Sequence, residues 1–189
     1  MTSSNSPSTE ILSSALLVFS QQYIDNYKTI HHELPQTDVD DLWLSPCQQG
    51  EASNEKIYWQ PTLIKKSLSF SNIESALELK INNDIVTYFS TLFSESLPAL
   101  CSEGELSLLF AWNEDDFQRL QENIIGHVLM KRKLKQAITI FFAVTDEEDI
   151  ILSVMNDTGE VWVEKVGCEP HKKLADSLPA FIKTLTPPA

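Results

Sequence analysis

Apolar positions recur along the chain with two different periods. Ile11, Ala15, Val18, Phe19 and Tyr23 fall at helical i, i+3, i+4 spacing, with Leu12 and Leu16 widening the stripe. Thr9 is a suitable N-cap, so the pattern predicts a helix from Glu10 that ends before Pro35. Residues 35–54 mix Pro, Gly, Gln and acids without periodicity and read as a loop. Residues 57–59 predict a short strand stopped by Pro61. Asn72 is the expected cap of a helix through 75–79, and Asn82 or Asn83 that of another with Ile85, Tyr88, Phe89 and Leu92 inward. Residues 105–112 are apolar enough for a central strand.

Asn113 opens the clearest helix. Phe117, Leu120, Ile124 and Val128 form its buried face, acids fill its first turn, and Lys131, Arg132 and Lys133 its last, matching the helix dipole at both ends. Strands are expected at 138–144, 150–155 and 161–166, with Asp157-Thr158-Gly159 as the hairpin between the last two. Leu174, Leu178, Phe181 and Ile182 suggest a terminal helix over 172–184. Helices early and an antiparallel meander late predict one α+β domain over 10–189, its helices packed on an antiparallel sheet. The polar Ser/Thr-rich segment 1–9 is expected to be a disordered tail.

Composition narrows the function. The 189 residues carry 27 acids and 14 bases, a net charge of −13. That balance argues against nucleic acid and against direct adsorption to anionic lipid, both of which need surplus Lys and Arg. It favours a basic partner. Residues 1–130 hold 18 acids and 6 bases, whereas 131–189 hold 9 and 8, so the excess is concentrated early in the chain. Cys47, Cys101 and Cys168 are odd in number and widely spaced, as expected of reduced thiols. No basic n-region of a signal peptide precedes Glu10, and no apolar run approaches the ~20 residues of a spanning helix.

Enzyme signatures are missing. There is no Gly-x-Ser-x-Gly elbow, and five glycines leave little from which to build a phosphate loop. Cys168 and His171 resemble half a metal site without its second half. Asp38, Asp40 and Asp41 lack the Gly and bidentate Glu of a calcium loop. His31-His32 suits a helix end, and His127 reads as an interior histidine. The expectation is a protein that binds, with neither catalytic residues nor cofactor nor metal.

Tyr58-Trp59-Gln60-Pro61, Ser45-Pro46-Cys47, the run Trp112-Asn113-Glu114-Asp115-Asp116-Phe117, the run from Gln121 to His127, and Ser153 to Glu160 stand out as specific segments. Together they resemble the Syd family, SecY-interacting proteins of gammaproteobacteria. The resemblance spans nearly all of the chain after the tail but not residues 48–56. It implies a SUKH-like α+β fold, a cytoplasmic protein held loosely at the inner membrane through SecY, and a concave acidic groove for basic cytosolic loops of the SecYEG translocase. Such loops are rich in Lys and Arg, because charge asymmetry sets membrane-protein orientation. It also implies a role in checking or restraining improperly complexed SecY. An immunity-type inhibitor of a basic toxin is the competing reading. From the sequence, the expected partner surface draws on Asp38, Asp40, Asp41, Glu114, Asp115, Asp116 and Glu122. The acidic run 146–149 is expected to be a solvated turn without a role in binding.

Overall fold

A six-stranded antiparallel meander organises the molecule, seen in a computed structural model that describes residues 7–188. In chain order the elements are α1 (Pro7–His31), β1 (Gln36–Asp38), β2 (Gln48–Ser53), β3 (Lys56–Trp59), β4 (Thr62–Leu63), α2 (Ser71–Leu77), α3 (Asn83–Thr91) and β5 (Leu92–Phe93). Then follow β6 (Leu97–Cys101), β7 (Gly104–Leu108), α4 (Glu114–Lys133), β8 (Thr139–Val144), β9 (Ile150–Met155), β10 (Val161–Lys165), β11 (Lys172–Ala175) and α5 (Leu178–Ile182). The main sheet runs β6 to β11 in sequence order, with α4 inserted between β7 and β8. The fold is α+β.

Helices cover both faces of this sheet. Phe141 meets His127 of α4 edge-on at 5.6 Å, while the next residue, Phe142, packs on Tyr88 of α3 and Phe181 of α5. Neighbouring strand residues point to opposite faces, which is how two adjacent phenylalanines serve two helical layers. The sheet curls. Lys172 of β11 pairs with Glu103 in the β6–β7 turn, joining its two edges at one end. The outer edge of β6 is covered by Thr186, whose backbone exchanges two hydrogen bonds with Leu100. Pro98 lies on that edge strand, where a missing N–H is tolerated.

The structure corrects several expectations from the sequence. The terminal helix over 172–184 is instead β11 followed by the short α5. Leu174 and Leu178 sit at helical spacing by coincidence, and the true start is at Ser177, whose Oγ accepts from the Ala180 N–H just after Pro179. The loop over 35–54 contains β1 and β2, which with β3 form a second sheet ordered β1-β3-β2. Its strands are largely exposed, so they carry no apolar alternation to read. Asn54 and Glu55 both adopt positive φ, closing β2–β3 with a two-residue primed turn. Asn72 lies inside α2 rather than capping it. The strand over 105–112 stops at Leu108 and is preceded by an unforeseen partner, β6. At the N-terminus, α1 already includes residues 7–9, and the rest of the expected tail, 1–6, lies outside the described residues. Asn82 does cap α3, accepting from the Asp84 N–H at 2.9 Å.

A charged polar cluster lies inside. Lys131 and Glu164 are both fully buried and form an ion pair at 3.0 Å, tying the last turn of α4 to β10. Lys131 also donates to the Cys168 carbonyl at 2.7 Å. Thr139 on β8 donates its hydroxyl proton to Glu164 at 3.0 Å, so it accepts from His127 Nε2, 3.1 Å away. His127 is thus the interior histidine its position suggested.

Removing one member of the ion pair leaves the other charge buried without its counter-ion. Lys131→Met should cost about 3–5 kcal/mol of stability in urea unfolding. The double variant Lys131→Met/Glu164→Gln should recover roughly half of that or more, because no charge is then left unpaired while Thr139 keeps an acceptor. Equal losses in the single and double variants would contradict this account.

Burial, with the Lys131 ammonium beside it, pulls His127 down from 6.5 to about 4. The unfolded chain therefore takes up a proton between these values that the folded chain refuses. The stabilising contribution is complete above about pH 6.5 and is lost as pH falls toward 4. Between pH 7 and 4.5 the protein should lose on the order of 2 kcal/mol more than His127→Gln in matched thermal melts. Parallel curves for the two proteins would exclude it.

Candidate functional site

Three of the expected acids, Glu114, Asp115 and Asp116, occupy the first turn of α4, to which the segment after Asp41 is tied. Asn113 Oδ1 accepts from the Asp116 N–H at 2.8 Å, and Asp116 Oδ2 accepts from the Trp112 N–H at 2.8 Å, a reciprocal cap of the kind that satisfies two orphan donors together. The other end of the Asn113 amide donates to the Leu44 carbonyl at 2.8 Å. Next to it, Trp112 Nε1 donates to the Trp43 carbonyl at 3.2 Å, and Ser45 Oγ donates to the Trp112 carbonyl at 2.5 Å. The Arg119 guanidinium lies 4.0 Å over the Trp43 ring. Behind the seam, Trp112 meets Trp59 edge-on and Trp59 stacks on Tyr23. The segment after Asp41 is thereby fastened to the first turns of α4.

The seven acids differ in what they do. Asp116 serves the cap, and Asp40 Oδ1 accepts from the Leu42 N–H at 2.9 Å. Asp38 pairs with Lys56 across the β1–β3 ladder, and Glu114 pairs with Lys66 at 2.8 Å. Asp41, Asp115 and Glu122 are exposed and make no ion pair among the described residues. Glu114 and Glu122 flank a groove of about 570 Å³ between α2 and α4, floored by Leu68, Ile73, Phe117 and Ile125. Eight residues apart on one helix, they stand about 12 Å from each other along its axis. Asp38 and Asp41 line a separate hollow of about 360 Å³ together with Glu55.

Two acidic features are absent from the surface expected on sequence grounds. Glu51 and Glu55 belong to the exposed small sheet, and the chain does carry a signal for them. From Glu33 to Glu55 it has six acids and neither Lys nor Arg. The second feature is only half visible in the chain, as the acidic run 146–149. Residues 146–149 do form the turn between β8 and β9, but Asp146 and Glu147 there join Glu103 and Glu105 around a cavity of about 220 Å³ floored by Leu106, Leu152 and Val163. The two pairs are far apart in the chain, and only the curl of the sheet unites them. This mouth is partly neutralised, since Lys172 pairs with Glu103 and Lys165 with Asp149.

Burial pushes the Cys47 thiol up to about 11, so it stays protonated at neutral pH. Cys168 and His171 are both exposed. Among the described residues no three His, Cys, Asp or Glu side chains gather as metal ligands. No helix among them is long and apolar enough to cross a membrane.

Residues 13–187 match the model of the family described as Syd protein (SUKH-2). Relatives named Protein Syd are similar over most of their length. That of Colwellia psychrerythraea is 52% identical, with 98% of this chain and 96% of the relative covered. That of Alteromonas mediterranea is 48% identical, covering 78% and 82%, and that of Psychromonas ingrahamii is 40% identical, covering 91% and 94%.

Asn113 links the cap to the loop, so Asn113→Ala should do two things at once. It should lower stability by about 1–2 kcal/mol through the lost cap. It should also speed amide hydrogen exchange selectively in residues 42–48, which lose their anchor on α4. Lower stability with unchanged exchange in that segment would mean the loop is held by other contacts.

Proposed function

The chain belongs to the Syd protein (SUKH-2) family, and from that premise we propose that it is a regulatory binding protein for SecY, acting at the cytoplasmic face of the inner membrane. It works by binding and not by catalysis, reading the basic cytosolic loops of SecY and restraining translocase that is improperly complexed. The observation that carries this reading is the stretch from Glu33 to Glu55, with six acids and no Lys or Arg, which forms the two largely exposed outer strands of the small sheet around β3 and is fastened to the acidic first turn of α4.

The physics supports a fast, reversible encounter. Cytosolic loops of membrane proteins concentrate Lys and Arg, while the lipid around them is anionic. A domain of charge −13 is drawn to the loops and repelled by the bilayer. Each exposed ion pair contributes only about 0–1 kcal/mol, so several must act together with apolar contact to reach micromolar affinity. Long-range attraction chiefly raises the on-rate and sets orientation.

The test is binding to SecYEG in proteoliposomes, with protein-free anionic liposomes as control. Binding should need SecYEG and weaken as salt rises, because exposed charges are screened beyond about 8 Å at physiological ionic strength. Reversing Asp41, Glu55 and Glu122 to Lys should weaken it at least about tenfold and flatten the salt dependence, with circular dichroism unchanged, since exposed substitutions usually shift stability by less than about 0.5 kcal/mol. If reversing Glu105, Asp146 and Glu147 abolishes binding and the first set does not, the partner sits at the sheet mouth. Co-purification with a basic toxin in place of SecY would favour the immunity-type reading.

A further inference from the structure

Leu42 and Leu44 are the two most exposed large hydrophobic residues among those described, at 93% and 63%. They lie directly after Asp40 and Asp41, and they do not wave in a slack loop. The Leu42 and Trp43 N–H groups both donate to Asp40, at 2.9 Å each. The Trp43 and Leu44 carbonyls accept from Trp112 and Asn113 of the α4 cap. Thr62 donates to the Pro46 carbonyl at 3.3 Å, a further tie on the segment that carries the leucines. Trp43 between them lies under Arg119, while both leucines face outward.

A fixed apolar ridge between Asp40–Asp41 on one side and Glu114–Asp115 on the other has a defined complement. Scattered exposed leucines are ordinary, but a rigid group at the centre of a charged patch is the layout of an interface, with an apolar core and a polar rim. We infer that Leu42 and Leu44 form the apolar centre of the surface that takes a basic partner. The occupant is a cationic protein segment that alternates Lys or Arg with aliphatic side chains. The acids contact the cations while the leucines bury against the aliphatic groups. A lipid surface fits less well, because the flanking carboxylates would be pressed against anionic headgroups. The inference rests on the reading of a basic partner but does not require that partner to be SecY.

The rigidity has a consequence for affinity. Because the ridge is already ordered, little side-chain or loop freedom is lost on binding, so the leucines should behave as the residues that dominate the interface. The acids should set the salt dependence and the leucines a contribution that salt does not change.

The experiment uses the full chain and two synthetic peptides of equal charge, one alternating Lys with Leu and one alternating Lys with Ser. The unaltered chain should bind the Lys/Leu peptide about tenfold more tightly than the Lys/Ser peptide. In Leu42→Ser/Leu44→Ser that preference should vanish, while the salt slope and the thermal melt stay as they were. Equal affinity of the unaltered chain for both peptides, or an unchanged preference in the double variant, overturns the inference. Flotation of the unaltered chain with zwitterionic vesicles, lost in the double variant, would assign the ridge to lipid and also overturn it. Failure of the unaltered chain to bind SecYEG proteoliposomes would instead overturn the identity of the partner, leaving the peptide result to decide the ridge.

Discussion

A lysine and a glutamate that see no water, Lys131 and Glu164, set the placement of the longest helix on the sheet's α4 face. Ions can remain inside a protein only when each finds its counter-charge and its remaining hydrogen bonds. Here Glu164 accepts from Thr139 as well as Lys131, and Lys131 also reaches the Cys168 carbonyl, so the arrangement is closed. Sliding or rotating α4 by one residue would leave two charges buried and unpaired. The apolar residues around them could pack in several registers. The ion pair tolerates one. In that sense it specifies position more than it adds stability.

Held at that end, α4 acts as a strut whose other end organises the acidic surface. Of its last-turn cations, Lys131 is spent in the core and Arg132 donates to the Leu77 carbonyl at 2.6 Å. Its acidic first turn faces out, where the helix dipole favours negative charge. The last-turn cations thus lie a full length away from the first-turn acids, Arg119 is taken up over Trp43, and Glu114 meets a lysine from elsewhere, Lys66. The Asn113 cap and its neighbour Trp112 then tie α4 to residues 43–45, through the Trp43 and Leu44 carbonyls and the Ser45 hydroxyl. One chain of contacts runs from the buried pair, through the helix, to the exposed ridge.

Elements with strong periodicity are legible in the chain. α3, α4, β8, β9 and β10 follow their patterns closely, because each buries one face and the amino acids must alternate accordingly. The exposed small sheet is not legible, since strands facing water on most sides carry no such alternation. β11 reads as helix because Leu174, half-buried on an edge strand, happens to stand four residues before Leu178 of α5.

The candidate site divides along the same line. The sequence by itself determined that the chain is acidic, that the excess lies before Lys131, that Asn113 caps a helix rich in first-turn acids, and that the family is Syd-like. These are properties of composition, spacing and motif, which need no coordinates. Tertiary structure alone decided which acids share a surface. It left Asp41 and Asp115 exposed, and it committed Asp40 and Asp116 to backbone donors. It also gathered Glu103 and Glu105 with Asp146 and Glu147 at the sheet mouth. Leu42 and Leu44 it turned outward, against what their hydrophobicity alone would suggest. The physical reason is that a carboxylate's role depends on which donors and cations lie within about 3 Å of it, and those distances are fixed by contacts between residues far apart in the chain.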